Sequence, residues 1–166
     1  TWFENPAVPD RIIVVSSDAT HVLKNLRNCL FACREGGSRK MVYPVKHTTA
    51  DGTVEWKYLP VSWDVIVKAY ELSRKMESAR PSPLSYIAVN LDNWSKTSVK
   101  DLLAVVHPET IRLIDALRVS HPTEMGIAAE GTVLYLRDLW TLVVSMTSRK
   151  KYGYTTPNDS RLRKCV

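Results

Sequence analysis

Residues 132–146 are the most apolar stretch of this 166-residue chain, and they limit what it can fold into more than any other segment. Ten of these fifteen side chains are apolar. Arg137, Thr141 and Ser145 recur at helical spacing, which predicts a helix with a narrow polar stripe that buries most of its circumference. The stretch is shorter than the roughly 20 apolar residues that cross a bilayer. We therefore predict a central core helix, and periodicity leaves open whether residues 132–136 form a strand instead.

The positive charge of the chain is concentrated at one end. Lys and Arg outnumber Asp and Glu by 23 to 17, which gives a net charge of +6. Residues 1–148 carry 17 basic and 16 acidic side chains, whereas residues 149–166 carry six basic side chains and one acidic. Because 148 residues suffice for a hydrophobic core, we predict one globular domain of residues 1–148 and a basic arm of residues 149–166.

Four strands are predicted before the central helix. Residues 11–15 and 86–91 are short apolar runs typical of buried strands. Residues 41–46 and 53–59 flank Asp51-Gly52, a turn signal because glycine accepts a positive φ. With two intervening helices, the order β-α-β-β-α-β resembles the topology of ferredoxin-like domains. We therefore expect an α+β fold with a small, mostly antiparallel four-stranded sheet.

The two helices between these strands have recognisable starts. Asp18 or Ser17 caps the first helix, which ends at Gly36-Gly37. Ser62 caps the second, which extends to about residue 78. The apolar face of the first helix comprises Val22, Leu23, Leu26, Leu30 and Cys33. The basic residues predicted on the opposite face are Lys24, Arg27 and Arg34.

A C-terminal extension of three helices is predicted to cover the sheet. The first begins after a cap at Asn93 or Ser95 and ends near residue 106. The second begins at Pro108, a favoured residue for a first helical turn, and stops before His121. The third is the central apolar helix of residues 132–146.

RNA-recognition motifs share this strand order, and their third strand carries a basic-glycine-aromatic signature. Here that strand contains Trp56 and Tyr58 but lacks the glycine and includes Glu55. The first strand, residues 11–15, has no aromatic ring that could stack on a base. We therefore interpret Trp56 and Tyr58 as buried core residues.

The basic arm combines cations with aromatic rings, a pairing that suits phosphate contacts together with base stacking. The same composition suits an anionic membrane surface, where each basic side chain contributes about 1 kcal/mol. Lys24 and Arg27 on the first helix could extend this surface. The predicted partner is therefore RNA or an anionic lipid surface, with self-association as a source of avidity. The residues of the arm that carry the prediction are Arg149, Lys150, Lys151, Tyr152, Tyr154, Arg161, Arg163 and Lys164.

A second candidate site lies at the start of the first helix. Ser16, Ser17 and Thr20 could present hydroxyls and helix amides to a phosphate group. The segment lacks the glycines that let a backbone wrap a pyrophosphate, and an ordinary helix cap explains the same residues. Phosphate binding therefore ranks below the basic arm.

Catalytic and metal-binding signatures are not found in the sequence. Cys29 and Cys33 lie four residues apart on a helix without a second ligand pair, so core packing explains them better than zinc. His107 and His121 each precede a proline and are typical of helix boundaries. No hydrolase, metalloprotease or P-loop motif occurs. We predict no metal, no cofactor and no small-molecule substrate.

The sequence thus favours a non-enzymatic binding or assembly protein that engages an anionic partner through its basic arm. The size and basicity of the chain are typical of small viral structural or accessory proteins, such as matrix or nucleic-acid-binding proteins. Two other hypotheses remain: a small enzyme that binds a phosphorylated molecule at Ser16 to Thr20, and a protein–protein interaction module. No signal peptide or transmembrane segment is predicted, and the unpaired cysteines suggest a reducing, intracellular compartment.

Overall fold

The computed structural model describes residues 2–4, 12–14, 18–49, 51–76 and 82–147. Within these residues the chain forms an α+β fold with two separate two-stranded antiparallel sheets. The elements of the first sheet are β1 (Trp2–Glu4) and β2 (Ile12–Val14), and those of the second are β3 (Met41–Thr48) and β4 (Val54–Val61).

The predicted four-stranded sheet with ferredoxin-like topology is wrong. Residues 12–14 pair with Trp2–Glu4, a strand that the sequence patterns did not reveal. Residues 86–91 contain the short helix α3 (Tyr86–Val89) instead of a strand. Ser85 explains this difference, because its hydroxyl accepts the amide hydrogen of Ala88 at 3.1 Å and caps a helical turn. Residues 86–91 therefore contribute no strand to either sheet.

Helices make up most of the described chain. Asp18 caps the first of them as predicted, since its carboxylate accepts the amides of Thr20 and His21 at 3.3 and 3.1 Å. The imidazole Nδ1 of His107 accepts the amide of Glu109, which makes His107 a helix boundary residue. A 3₁₀ turn lies at Ser95–Thr97. The remaining helices are α1 (Ala19–Phe31), α2 (Asp64–Lys75), α4 (Val99–Val106), α5 (Pro108–Ser120), α6 (Pro122–Met125) and α7 (Ala129–Thr147).

The helix α7 is the centre of the core. It includes residues 132–136 and packs against α1, α4, α5, β3 and β4. Leu136, Leu139 and Val143 are buried, as its wide apolar face predicts. Ser145 was assigned to the polar stripe, but it is also buried.

Arg27 is the clearest departure from the predicted helix faces. Its side chain is fully buried and was expected on the polar face of α1. The guanidinium donates hydrogen bonds to the carbonyls of Ser95 and Ser98 at 3.0 and 3.1 Å, and to that of Lys96. Burial lowers the pKa of Arg27, and the negative charge of Asp101 partly offsets this effect. Arg27 therefore joins α1 to the segment that precedes α4.

Candidate nucleic-acid interface

The β3–β4 hairpin is built around the turn that the sequence predicts. Gly52 adopts a φ of +84°, which other residues rarely adopt. The amide of Thr49 donates to the carbonyl of Thr53 at 2.9 Å, and Asp51 accepts hydrogen bonds from the Thr49 hydroxyl and from the Thr53 amide. The Thr49 hydroxyl and then the Thr53 amide lower the pKa of Asp51. The tip of the hairpin is therefore polar and carries a negative charge.

The two faces of the hairpin have different surroundings. Leu59 and Val61 are buried, and Met41 and Tyr43 pack against the core on the same face. The opposite face, here called the outer face, is exposed along its length. Cross-strand register places Pro44 opposite Tyr58. The exposed residues of the outer face are Val42, Pro44, Lys46, Thr48, Val54, Trp56 and Tyr58.

Trp56 and Tyr58 are therefore not core residues, and that interpretation is wrong. Their exposed fractions are 52% and 62%. The alternation of side chains along β4 explains the error. Leu59 and Val61 face the core, so residues 54, 56 and 58 face the opposite side. The alternation of apolar and polar residues along β4 was predicted correctly, but the apolar side chains of residues 54, 56 and 58 face away from the core. Two aromatic rings are thereby presented side by side on one strand.

A cation accompanies these rings. Lys46 lies directly opposite Trp56 in the register, and its ammonium is 5.3 Å from the centre of the indole ring. Arg39 and Lys40 are exposed immediately before β3. Glu55 belongs to the other face of the strand. The outer face therefore combines aromatic, apolar and cationic groups without a carboxylate of its own.

Three contacts fix the hairpin to α7. The Tyr43 hydroxyl donates to the Asp138 carboxylate at 2.5 Å. The Ser62 amide donates to the Thr132 hydroxyl at 3.1 Å. Gly131 lies so close to the backbone of Pro60 that an added β-carbon would overlap its carbonyl oxygen. The side chains of β4 from residue 54 to 58 are exposed on both faces, so this half of the hairpin projects from the body.

The basic arm predicted at residues 149–166 lies outside the described residues, so its eight candidate side chains have no structural assignment here. Of the two residues predicted to extend it, Lys24 is half-buried on α1. Arg27 is fully buried and bonded to three carbonyls, so it is not exposed to an external phosphate. The structure does not bring Lys24 and Arg27 together on one exposed surface.

The predicted phosphate site is only partly described. Ser16 and Ser17 lie outside the described residues. The amide of Thr20 donates to Asp18, as does the next amide along the helix. A carboxylate thus already occupies the helix start that a phosphate would use, and its negative charge repels a second anion.

Candidate catalytic groups do not assemble into a known catalytic arrangement in the described part of the chain. The Ser120 hydroxyl lies 2.8 Å from Nδ1 of His121, but both side chains are at the surface and no described carboxylate orients the imidazole. The Cys33 thiol donates to the Cys29 carbonyl at 3.2 Å, and burial raises its pKa. Among the described residues, no three His, Cys, Asp or Glu side chains are grouped to hold a metal.

A second exposed aromatic group was not predicted. Trp94 is 86% exposed, and Tyr86 is 67% exposed. Asp92 fixes the turn that presents Trp94, because its carboxylate accepts the amides of Trp94 and Ser95 at 2.9 and 2.6 Å. The Ser95 amide and hydroxyl are the main causes of the lowered pKa of Asp92. The Asp-Asn-Trp-Ser sequence was the available signal, since Asp and Asn favour such turns.

No protein-family model matches this chain, and comparisons with curated proteins and with solved structures give no significant match. None of the helices formed by the described residues combines the length and the apolarity that a membrane crossing requires.

Proposed function

We propose that this chain is a non-enzymatic protein that binds single-stranded nucleic acid, RNA in the first place. The observation that carries the proposal is the exposure of Trp56 and Tyr58 on one face of a hairpin, with Lys46 beside them. Aromatic rings beside cations suit ligands that combine planar bases with phosphates. The basic residues of 149–166 would add sequence-independent phosphate contacts.

The hairpin favours nucleic acid over an anionic membrane as its ligand. A membrane-binding loop inserts apolar residues at its tip, whereas the described residues of this tip are Thr49, the charged Asp51, Gly52 and Thr53. The rings lie on the outer face of β3 and β4 and not at the tip of the hairpin. A flexible single-stranded nucleic acid can contact them there, whereas a flat bilayer reaches them less easily.

The biological setting belongs to the same proposal. The described cysteines, Cys29 and Cys33, are free thiols, which fits a reducing, intracellular compartment. A role in assembly, as in small viral structural or accessory proteins that package nucleic acid, would use this binding together with self-association. Avidity would then raise a weak contact per chain to useful strength.

A salt titration tests the proposal. Binding of a labelled single-stranded RNA is measured by fluorescence anisotropy for the full chain and for a full-length variant with the six basic residues of 149–166 replaced by glutamine. If all six contact phosphates, the slope of log K against log salt concentration should become shallower by about 4, since each contact on a single strand contributes about 0.7. A chain ending at Ser148 is measured in parallel.

Two results would overturn the proposal. One is the absence of RNA binding at low salt. The other is weak RNA binding that does not depend on salt, combined with tight binding of the full chain to vesicles that contain phosphatidylserine. The second result would identify an acidic membrane as the ligand.

A protein–protein interaction module is the second candidate function, and Trp94 favours it. A tryptophan that is almost fully exposed and held by an ordered turn is typical of an interface anchor. Sedimentation of the full chain at increasing concentration tests self-association, and Trp94→Ala should lower it. Sedimentation as a monomer at all concentrations, for both proteins, would remove self-association as the role of this turn.

A further inference from the structure

The distance between two side-chain attachment points on the outer face of the hairpin matches the space that a nucleobase needs between two aromatic rings. Trp56 and Tyr58 are two residues apart on the same strand, so their points of attachment are roughly 6.6–6.8 Å apart along the strand. Stacked bases lie about 3.4 Å apart, so two rings that hold one base between them need twice that distance. The spacing of the two points of attachment is therefore suited to one base between two rings.

We propose that one unpaired base inserts between the side chains of Trp56 and Tyr58, and that the protein consequently prefers single strands to duplexes. This inference rests on the proposed function and adds to it the form of nucleic acid that is bound. A base in a duplex is already stacked and paired on both sides, so its insertion would first require unstacking and unpairing.

The residues around the two rings fit this role. Val54 continues the apolar row on one side of Trp56, and Pro44 lies opposite Tyr58 as a second apolar surface. The ammonium of Lys46 is near the indole ring and is exposed, so it is within reach of the phosphate that follows an inserted base. Base, ring and phosphate contacts thereby fall within a few residues of one hairpin.

The chain offers a matched control for the test. Trp56→Ala and Tyr58→Ala are each compared with Tyr86→Ala, because all three side chains are more than half exposed. The affinities for a single-stranded oligonucleotide and for the matching duplex are measured at one salt concentration. Thermal unfolding of each variant confirms that the fold is retained.

Each hairpin variant should weaken single-strand binding by about 5- to 150-fold, the range expected for loss of one stacking ring. The affinity of each variant for the duplex and the single-strand affinity of Tyr86→Ala should not change. Trp56→Phe should retain most of the single-strand affinity, and ligand-induced quenching of tryptophan fluorescence should be lost in that variant.

Three outcomes would overturn the inference. Hairpin variants with single-strand affinity equal to that of Tyr86→Ala would do so, and salt-dependent RNA binding in the separate salt titration would leave the proposed function standing. Equal affinity of the wild-type chain for single strands and duplexes would also overturn it. If the wild-type chain binds neither nucleic acid, the proposed function and this inference fail together.

Discussion

The guanidinium of Arg27 contributes to stability through three backbone carbonyls that belong to the turn around Ser95–Thr97 and to Ser98. A buried cation is costly unless its hydrogen bonds are satisfied, and its Nε has no partner among the described residues. Removing the side chain would take a charged donor from all three carbonyls, although those of Ser95 and Ser98 also accept the amides of Ser98 and Leu102. One side chain therefore holds the turn against α1.

Arg27→Met should lower the free energy of unfolding by about 3 kcal/mol, because it removes several charged hydrogen bonds and keeps an apolar stem of similar length. Denaturation by urea measures the effect. Lys68→Met at an exposed position of α2 is the control and should change stability by less than about 0.5 kcal/mol, as is usual for surface positions. Equal effects of the two substitutions would contradict the assigned role of Arg27.

A second prediction at the residue scale concerns alkaline pH. The hydrogen bond to Asp138, then burial and the charge of Asp138, raise the pKa of Tyr43 from 10.0 to about 12. The folded phenol therefore keeps a proton that the unfolded chain loses in this window. Its contribution to stability is complete below pH 10.0 and is lost as the pH rises through about 12.

Tyr43→Phe should accordingly be less stable than the wild-type chain at about pH 9, and this difference should shrink by about pH 12. Urea unfolding at a series of pH values measures the difference. Asp138→Asn keeps an acceptor but removes the charge, so it should give a smaller pH dependence than the wild-type chain. Parallel pH profiles for the wild-type chain and Tyr43→Phe would argue against this coupling.

The limits of sequence reasoning are visible at single residues. Arg27 lies four residues after Leu23 and three before Leu30, so helical spacing alone places it on the buried face. Its charge argued for the opposite face, because charged residues are rarely buried without partners. Its partners are carbonyls some 70 positions later in the chain, and no local pattern indicates them.

At the scale of elements, the contact between α7 and β4 depends on a residue without a side chain. Gly131 lies in the first turns of α7, and an added β-carbon there would come within 3.0 Å of the β-carbon of Leu59 and closer still to the Pro60 carbonyl. The helix and the strand can approach this closely only because position 131 is glycine.

Gly131→Ala should therefore destabilise the protein by about 1–3 kcal/mol, the usual effect of overpacking. The direction of the stability change distinguishes a close contact from open space, because the same substitution in an unobstructed helix stabilises by about 0.5–1 kcal/mol. Thermal unfolding gives the measurement, with the partly exposed Val144→Ala as the control. A stabilised Gly131→Ala variant would show that the helix and the hairpin are not in close contact.

Elements defined by local signals were predictable, and their pairing was not. The Asp51-Gly52 turn, the cap at Asp18 and the apolar run of α7 all depend on residues close in sequence, and all three are present. Joining strands into one sheet depends on distant contacts. Residues 86–91 matched a strand in composition, but the cap at Ser85 determined a helix.

At the scale of the whole molecule, the proposed binding has two separable parts. The rings of the hairpin contribute stacking, which depends weakly on salt, and the basic residues of 149–166 contribute phosphate contacts, which depend on it strongly. A variant with Trp56→Ala and the six glutamines should thus show both defects, and their free energies should add. A salt slope altered by Trp56→Ala alone would contradict this division.

The prolines of the hairpin have a consequence for solubility. In the described structure, β3 and β4 pair only with each other, so each leaves one edge open to a strand from another molecule. Pro44 and Pro60 have no amide hydrogen, so each edge lacks a donor that such a strand would need. The hairpin can therefore expose its rings to a ligand while it resists edge-to-edge polymerisation into fibrils.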